Sequence, residues 1–286
     1  MRLFSRRMVL LVSALLGFLA PSAFAADVVF PAPDTAVNEL GITTYLDLAR
    51  HFVPDIKPSD SGYVGTTRIP VCHIAGKDYD NEGLKAFGFY DISTMRMKAG
   101  GKDRLLVLFD FAQAAQTAQG VAVLALYEIG KEIKLLDAAD IGFDQSTYFF
   151  DQAWMPIAPD TDAILTMSTH FNSSQTYTMQ SLIMIQHDRL QLIDKAFLFN
   201  ERLCAVERQQ NIRYAANPGD ANPYAPIAVT VTETATPTGD TCDDASKPVA
   251  AMKEIRVIYK WDAAEGRYRR DSDALEKLAD ANEERF

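Results

Sequence analysis

The stretch Asp103–Ala139, which opens with DRLLVLFDF and closes with KEIKLLDAA, decides the fold class because a similar stretch follows it. Asp162–Ala196 opens with DAILTMSTH and closes with DRLQLIDKA. Both stretches hold short apolar runs rich in Val, Ile, Leu and Phe, which are typical of β-strands. Turn residues such as Gly130-Lys131 and His187-Asp188 separate the runs, and the long crossover that parallel strands need is missing. The pattern predicts antiparallel meanders.

A looser third copy is expected over residues 226–270, and we interpret the copies as an internal repeat of small sheets that stack on one another. Two or three copies are too few to close a propeller ring. The predicted fold is therefore mainly β, with antiparallel meander units arranged as a sandwich or as a partial propeller-like sheet.

The sequence predicts one helix near the mature N-terminus. Thr43 or Thr44 can cap it, Asp47 falls in its first turn and Pro54 ends it. Its apolar stripe consists of Ile42, Tyr45, Leu46, Ala49, Phe52 and Val53. At the other end of the chain, the charged segment Asp273–Arg285 favours a short solvated helix or a frayed tail.

Residues 1–25 have the layout of a secretory signal peptide. Segment 1–7 supplies three arginines, Met8–Ala20 an apolar core, and Ala23–Ala25 an A-x-A cleavage site. The core of about 13 residues is shorter than the roughly 20 that a membrane-spanning helix needs. We therefore expect residues 26–286 to reach the periplasm or the medium as a single mainly β domain, with no transmembrane segment in the mature chain.

The charge balance narrows the classes of partner. The full chain carries 28 Lys and Arg against 38 Asp and Glu, a net charge of −10, and loss of the three signal arginines would bring it to −13. Such a chain repels nucleic-acid phosphates and anionic lipid headgroups. No G-x-G-x-x-G or G-x-x-x-x-G-K motif for nucleotides is present. The partners that remain are an envelope protein or a small ligand, and nucleic acid is not expected.

Three cysteines allow three pairings in an oxidising compartment. Cys204–Cys242 is favoured because the two residues flank the long irregular segment that lacks an apolar pattern of its own. Closing a loop of roughly 40 residues would stabilise the fold by about 4 kcal/mol at most. Cys72, in RIPVCHI, is expected to be a buried and inert thiol.

The segment Asp78–Gly83 (DYDNEG) begins as a calcium loop does, with alternating oxygen side chains before a glycine. Asp78, Asp80 and Glu82 would be the ligands. The twelfth position, where a bidentate Glu is expected, is Phe89. A plain acidic loop and a weak calcium site both remain open, and no other cofactor is indicated.

The connector of the second stretch gathers an imidazole, amides and hydroxyls on a predicted surface loop, where binding residues are often found. The candidate binding residues are His170, Asn172, Ser173, Ser174, Gln175 and Tyr177. The alternative is an ordinary turn with no binding role. No G-x-S-x-G motif, the signature of a hydrolase nucleophile, surrounds either serine. Asp137, Asp140 and Asp144 lie near the end of the first stretch and offer carboxylates for acid–base chemistry, for which their separation in space is decisive.

Two functions follow from these patterns. The first is an exported non-enzymatic binding or accessory protein of the cell envelope, which acts through loops on a β scaffold. It is favoured because no motif has catalytic spacing and no cofactor fingerprint is present. The alternative is a periplasmic hydrolase of cell-envelope carbohydrate or peptide, which would use acidic residues and His170.

Overall fold

The computed structural model describes residues 27–60, 62–74, 87–89, 91–113, 120–144, 146–203, 205–239 and 249–285. Within these ranges the chain forms two α-helices, α1 (Tyr45–Ala49) and α2 (Ala274–Glu283). The strands are β1 (Lys57–Ser59), β2 (Gly62–Gly65), β3 (Phe87–Gly88), β4 (Asp91–Ala99), β5 (Lys102–Gln113), β6 (Gly120–Ile129), β7 (Ile133–Asp140), β8 (Ser146–Ala158), β9 (Thr161–Phe171), β10 (Gln175–Gln186), β11 (Arg189–Leu203), β12 (Val206–Ala216), β13 (Ile227–Pro237), β14 (Ala251–Asp262) and β15 (Arg267–Arg270).

The strands pair with their neighbours in sequence and every ladder is antiparallel. They form a small sheet of β1–β3, a four-stranded sheet of β4–β7 and an eight-stranded sheet that runs from β8 to β15. The prediction of a mainly β protein built from antiparallel meanders is confirmed. Asp103–Ala139 contributes β5–β7, Asp162–Ala196 contributes β9–β11, and residues 226–270 contribute β13–β15. That these stretches are copies of one unit stays a prediction.

The four-stranded sheet is buried on both of its faces. Leu106, Leu108 and Leu124 pack against Ile164 and Ile183 of the eight-stranded sheet. The residues between them point the other way, and Leu105, Val107 and Phe109 form a second cluster with α1. Because both faces of β5 and β6 are covered, these strands have continuous apolar runs rather than a hydrophobic–polar alternation.

The eight-stranded sheet curves so that β12–β15 cover the other face of β8–β11. A third apolar cluster fills the space between these two halves and includes Leu165, Met184, Val229 and Val257. Two tyrosines of the second half reach across it: the Tyr214 hydroxyl donates to Gln180 Oε1 (3.1 Å) and the Tyr259 hydroxyl to Asp194 Oδ2 (2.7 Å). The fold is thus a stack of layers, with α1 outermost on one side.

The predicted N-terminal helix is confirmed, with Thr44 as its N-cap. It is shorter than expected, because it ends at Ala49 and not at Pro54, and Ile42 lies before it and is exposed rather than part of a buried stripe. The Thr44 Oγ1 accepts the backbone N–H of Asp47 (3.2 Å), and Asp47 Oδ2 accepts that of Thr44 (2.9 Å). This reciprocal capping box satisfies two backbone donors of the first turn. Leu48 and Ala49 of the helix are buried against the four-stranded sheet.

The C-terminal segment is not a frayed tail, and the expectation of a solvated helix is wrong for one face. Leu275, Leu278 and Asn282 of α2 are buried. Their spacing places them on one stripe of a helix, and α2 lies against β11 and β14. The sequence did not predict this buried stripe because most of the residues around it are charged.

Cys72 also departs from its prediction, because it is an exposed free thiol. Its neighbour His73 is buried. The backbone of this segment runs beside Asp140, whose N–H donates to Cys72 O (2.9 Å) and whose carbonyl accepts the N–H of Ile74 (3.2 Å). In such an extended segment successive side chains alternate in direction, so that burial of His73 turns Cys72 outward.

Several predicted features lie outside the described residues. These are the signal peptide 1–25, the calcium ligands Asp78, Asp80 and Glu82, and the cysteines Cys204 and Cys242. Each stays a prediction. The segment between the two cysteines is not irregular, however: it contains β12 and β13, which pair with each other, and alternate residues Ile227, Val229 and Val231 of β13 are buried. In the ranges that the structure describes, no helix has the length and apolar character needed to cross a membrane.

Candidate functional site

The β9–β10 hairpin sends the predicted binding residues to two places. His170 and Tyr177 form a cross-strand pair, and so do Phe171 and Thr176 next to them. Since adjacent strand residues point to opposite faces, the first pair faces the side of the four-stranded sheet and the second pair faces away from it. The two faces form two separate candidate sites.

The first site joins His170 and Tyr177 to Asp144, which lies in the loop between β7 and β8. The imidazole Nδ1 of His170 is 2.8 Å from Asp144 Oδ1, and the Tyr177 hydroxyl donates to Asp144 Oδ2. The two rings stack, with centroids 5.1 Å apart and planes 8° apart. Asp144 is 2% exposed, whereas the His170 side chain is 23% exposed.

The loop that carries Asp144 is fastened at Gly142. Its N–H donates to Asp140 Oδ1 (3.0 Å), and its carbonyl accepts from His73 Nε2 (3.0 Å). A Cβ atom at this position would lie 2.6 Å from Gly120 O, so only glycine fits. Burial raises the pKa of the Asp140 carboxyl, and the Arg68 guanidinium at 2.6 Å opposes that rise.

A chain of hydroxyls leads from this loop to a second buried carboxyl. Phe143 N–H donates to Ser168 Oγ (3.3 Å), which is 2.8 Å from Thr147 Oγ1. The Thr147 N–H in turn donates to Asp110 Oδ2 (3.0 Å). Burial raises the pKa of Asp110 to about 7, the hydrogen bond from Thr147 opposes the rise, and the charge of Asp91 adds to it.

A histidine held by a buried carboxylate can act as a general base. The Asp144 contact orients the ring and would stabilise the imidazolium, which leaves Nε2 as the nitrogen that exchanges a proton. In the described part of the chain, no group of three or more His, Cys, Asp or Glu side chains is placed to hold a metal ion. The 2.8 Å contact between His170 and Asp144 is what supports proton transfer through His170.

The second site is a groove between the tips of two neighbouring hairpins, which we call the hairpin groove. Its volume is about 280 Å³. It is lined by Asn172, Ser173, Ser174, Gln175, Thr176, Asn200, Glu201, Arg202, Glu207, Arg208, Gln209 and Asn211. Side-chain amides and hydroxyls dominate this lining, and its two Glu and two Arg residues balance in formal charge.

The β9–β10 tip forms one wall of the hairpin groove and is held by its own hydrogen bonds. Asn172 Oδ1 accepts the backbone N–H groups of Ser174 and Gln175, each at 2.9 Å. The backbone N–H of Arg202, on β11, donates to Ser174 O (2.8 Å) and joins the two hairpins. These bonds hold the tip in one conformation.

The opposite wall is held by an ionic network. Arg208 donates from Nε to Glu201 Oε1 (3.1 Å) and from Nη1 to Glu233 Oε1 (3.1 Å). Gln210 Nε2 donates to Glu233 Oε2 (2.6 Å), and Arg285 Nη1 donates to the same oxygen (3.0 Å). Burial acts to raise the pKa of Glu233, but the hydrogen bonds from Gln210 and Arg285 and the charges of Arg285 and Arg208 together lower it.

Four other side chains that line the hairpin groove have donors or acceptors that a ligand could bind. Ser173, Thr176, Arg202 and Asn211 line the groove. Within the described residues, none of these four side chains makes a hydrogen bond or an ion pair. The hairpin groove thus combines a wall held by ion pairs with side-chain donors and acceptors that a ligand could use.

The sequence pointed to only part of both sites. Asn172, Ser173, Ser174 and Gln175 line the hairpin groove, whereas His170 and Tyr177 belong to the cluster with Asp144. The wall from β11 and β12, Asn200–Asn211, was missed. A signal for it was present, since polar residues crowd the segment NERLCAVERQQN next to a predicted strand.

Comparisons with known proteins do not assign either site. No protein-family model matches the chain, and no curated protein or solved structure matches it.

Proposed function

We propose that this chain is an exported binding protein of the cell envelope that holds a small polar ligand in the hairpin groove. The observation that carries the proposal is the groove itself: it lies on a rigid sheet, and amides and hydroxyls line it. A groove of about 280 Å³ lies just below the range of about 300–1,000 Å³ that is typical of ligand pockets, and therefore has room only for a small molecule or for one unit of a longer chain. Export rests on the signal peptide predicted at residues 1–25.

The charges of the hairpin groove favour a ligand without net charge. Glu201 and Arg208 neutralise each other, and Arg208 is shared with Glu233. An anionic ligand could approach the open Arg202 side chain, but Glu207, the cross-strand partner of Arg202, would repel it. A neutral ligand can instead be recognised by the open side chains of Thr176 and Asn211.

Saturation-transfer NMR against a panel of neutral sugars, amino-acid amides and dipeptides tests the proposal. We expect at least one class to bind at millimolar concentration. Arg202→Ala is expected to weaken that binding roughly tenfold, because it removes a charged donor of the groove. The matched control is Arg213→Ala, which removes an exposed arginine of β12 that does not line the groove.

The proposal is overturned if no probe of the panel binds, or if Arg202→Ala and Arg213→Ala bind the probes equally well.

The second candidate function is hydrolysis of an envelope ester, amide or glycosidic bond, and the 2.8 Å contact between His170 and Asp144 supports it. His170 Nε2 would accept a proton from the attacking water, and Asp144 would stabilise the charged ring. Turnover of p-nitrophenyl esters and glycosides tests this function. His170→Gln is expected to lower kcat/KM about 100-fold or more.

His187→Asn is the control, since His187 is an exposed residue of the β10–β11 turn with φ of 52°, a conformation that asparagine adopts readily. Equal activity of the two variants, or no turnover above the uncatalysed rate, would contradict hydrolysis at His170.

A further inference from the structure

We propose that the ligand of the hairpin groove is an oligosaccharide and that Phe171 stacks on one of its rings. This inference rests on the proposed binding function and names its ligand class. It begins from Phe171, which ends β9 with 67% of its surface exposed. Large apolar side chains are stabilised when they leave water, so a ligand that covered the Phe171 ring would gain binding free energy.

Phe171 lies in line with the hairpin groove. It pairs with Thr176 on β10, and Thr176 pairs with Asn200 on β11. Cross-strand partners point to the same face, so the three side chains form a row across one face of the sheet. Thr176 and Asn200 line the groove. Since neighbouring strands are about 4.8 Å apart, the row from Asn200 to Phe171 spans about 10 Å.

The backbone that carries Phe171 is held in place. Asn172, the next residue, donates its N–H to Gln175 O (2.9 Å) and accepts two backbone N–H groups with its side chain. The bond from Arg202 to Ser174 then fixes the hairpin to β11. A ring on such a tip is positioned before the ligand arrives, which lowers the entropy cost of binding.

The combination of groups matches a sugar. A pyranose ring offers a face of C–H groups, which packs on an aromatic ring, and an edge of hydroxyls, which both donate and accept hydrogen bonds. Phe171 supplies the aromatic surface. Thr176, Asn200 and Asn211 supply hydroxyl and amide groups that can donate and accept in turn. One sugar unit in the groove and a neighbouring unit on Phe171 require at least a disaccharide.

A peptide fits this surface less well. Extended peptides are commonly bound by pairing with an unpaired strand edge, and β10 has partners on both sides here. Where β12 diverges from β11, side-chain amides occupy the edge of β11: Gln210 Oε1 accepts Phe199 N–H (2.9 Å), and Asn282 Nδ2 donates to Phe197 O (3.0 Å). No strand can be added at that position without displacing them.

Calorimetry and NMR titration with chitobiose, cellobiose, maltose and their monosaccharides test the inference. We expect at least one disaccharide to bind the full mature chain more tightly than its monosaccharide. Phe171→Ala should weaken that disaccharide roughly tenfold, with little effect on the monosaccharide, and Phe171→Trp should retain it. Ile42→Ala, a change at another strongly exposed apolar residue (81%), should leave binding unchanged.

Each other outcome overturns a distinct claim. If amino-acid amides or dipeptides bind and all sugars fail, the oligosaccharide is wrong while the binding function stands. If Arg202→Ala weakens the disaccharide and Phe171→Ala does not, the stacking role of Phe171 is wrong. If no probe of either panel binds, the proposed binding function is wrong as well. Circular dichroism of each variant confirms that the fold is retained.

Discussion

At the scale of single residues, Asp110 shows how the layered fold changes the chemistry of a carboxyl. Asp110 lies on β5, accepts a hydrogen bond from β8 and is 3% exposed. Its burial raises its pKa to about 7. In the unfolded chain the same group titrates near the ordinary value for aspartate, about 3.9. Between these two values the folded protein holds a proton that the unfolded chain releases.

The stability that this proton provides should depend on pH. It is fully present below about pH 4 and is lost as the pH rises through about 7, because the unfolded chain ionises first. Asp110→Asn keeps an acceptor for the Thr147 N–H and cannot ionise. The free energy of unfolding of the variant, relative to the original chain, should therefore rise by up to about 4 kcal/mol between pH 4 and pH 8.

Urea denaturation at several pH values measures this difference. Asp103→Asn is the control, because Asp103 is an exposed residue of the same strand. A difference between Asp110→Asn and the original chain that stays constant across the pH range would show that the pKa of Asp110 is the same in the folded and unfolded chains.

At the scale of elements, α2 closes the gap that opens between β11 and β12. These strands pair only from Glu201↔Arg208 to Leu203↔Val206. Beyond that point Asn282 of α2 enters the gap, donates to Phe197 O (3.0 Å) and exchanges hydrogen bonds with the Gln210 amide at 2.8 and 2.9 Å. The helix thereby supports the network that holds Arg208 in the hairpin groove.

Asn282→Ala should destabilise the protein because it leaves buried amide and carbonyl groups without partners. Unsatisfied buried groups of this kind cost about 1–3 kcal/mol, and the loss should be visible as a lower midpoint in urea. Glu283→Ala, at the exposed neighbouring position, should change stability by less than about 0.5 kcal/mol. Equal effects of the two variants would mean that the amide contacts of α2 contribute little.

At the scale of the whole molecule, the predicted disulfide joins two cysteines outside the described residues, and the described residues beside them are compatible with it. The N–H of Thr238, just after β13, donates to Ala205 O (3.0 Å), next to Cys204 in the chain. Cys242 follows Thr238 by four residues, and an extended chain covers about 3.3–3.6 Å per residue. The path from Thr238 to Cys242 is thus long enough, at roughly 13 Å, to return to Cys204.

We expect the exported chain to carry a Cys204–Cys242 disulfide and one free thiol at Cys72. Alkylation followed by intact mass measurement should label one cysteine before reduction and three after it. Reduction should lower the free energy of unfolding by about 4 kcal/mol at most. Cys72→Ser serves as the control and should remove all labelling before reduction. Three labelled cysteines in the unreduced chain would rule the bond out.

Much of the fold could be predicted because strand patterns are local. The runs around Leu105–Phe109 and Ser181–Ile185 and the turn at Gly130 are enough to define antiparallel meanders. The α1 cap at Thr44 and Asp47 is equally local. The buried stripe of α2 is equally local in the sequence, but it was not predicted because charged residues surround Leu275 and Leu278.

The sequence by itself determined the mainly β class, the meanders of β5–β7 and β9–β11, and the N-terminal helix, whereas β12 was missed. The tertiary structure alone decided which polar residues meet. Asp144 reaches His170 from 26 positions away, and Asn172 shares a groove with Asn211 of another hairpin. Alternation along a strand assigns each side chain to a face. What lies opposite that face depends on how the sheets stack and curve, and that is decided by burial of apolar surface over the whole chain.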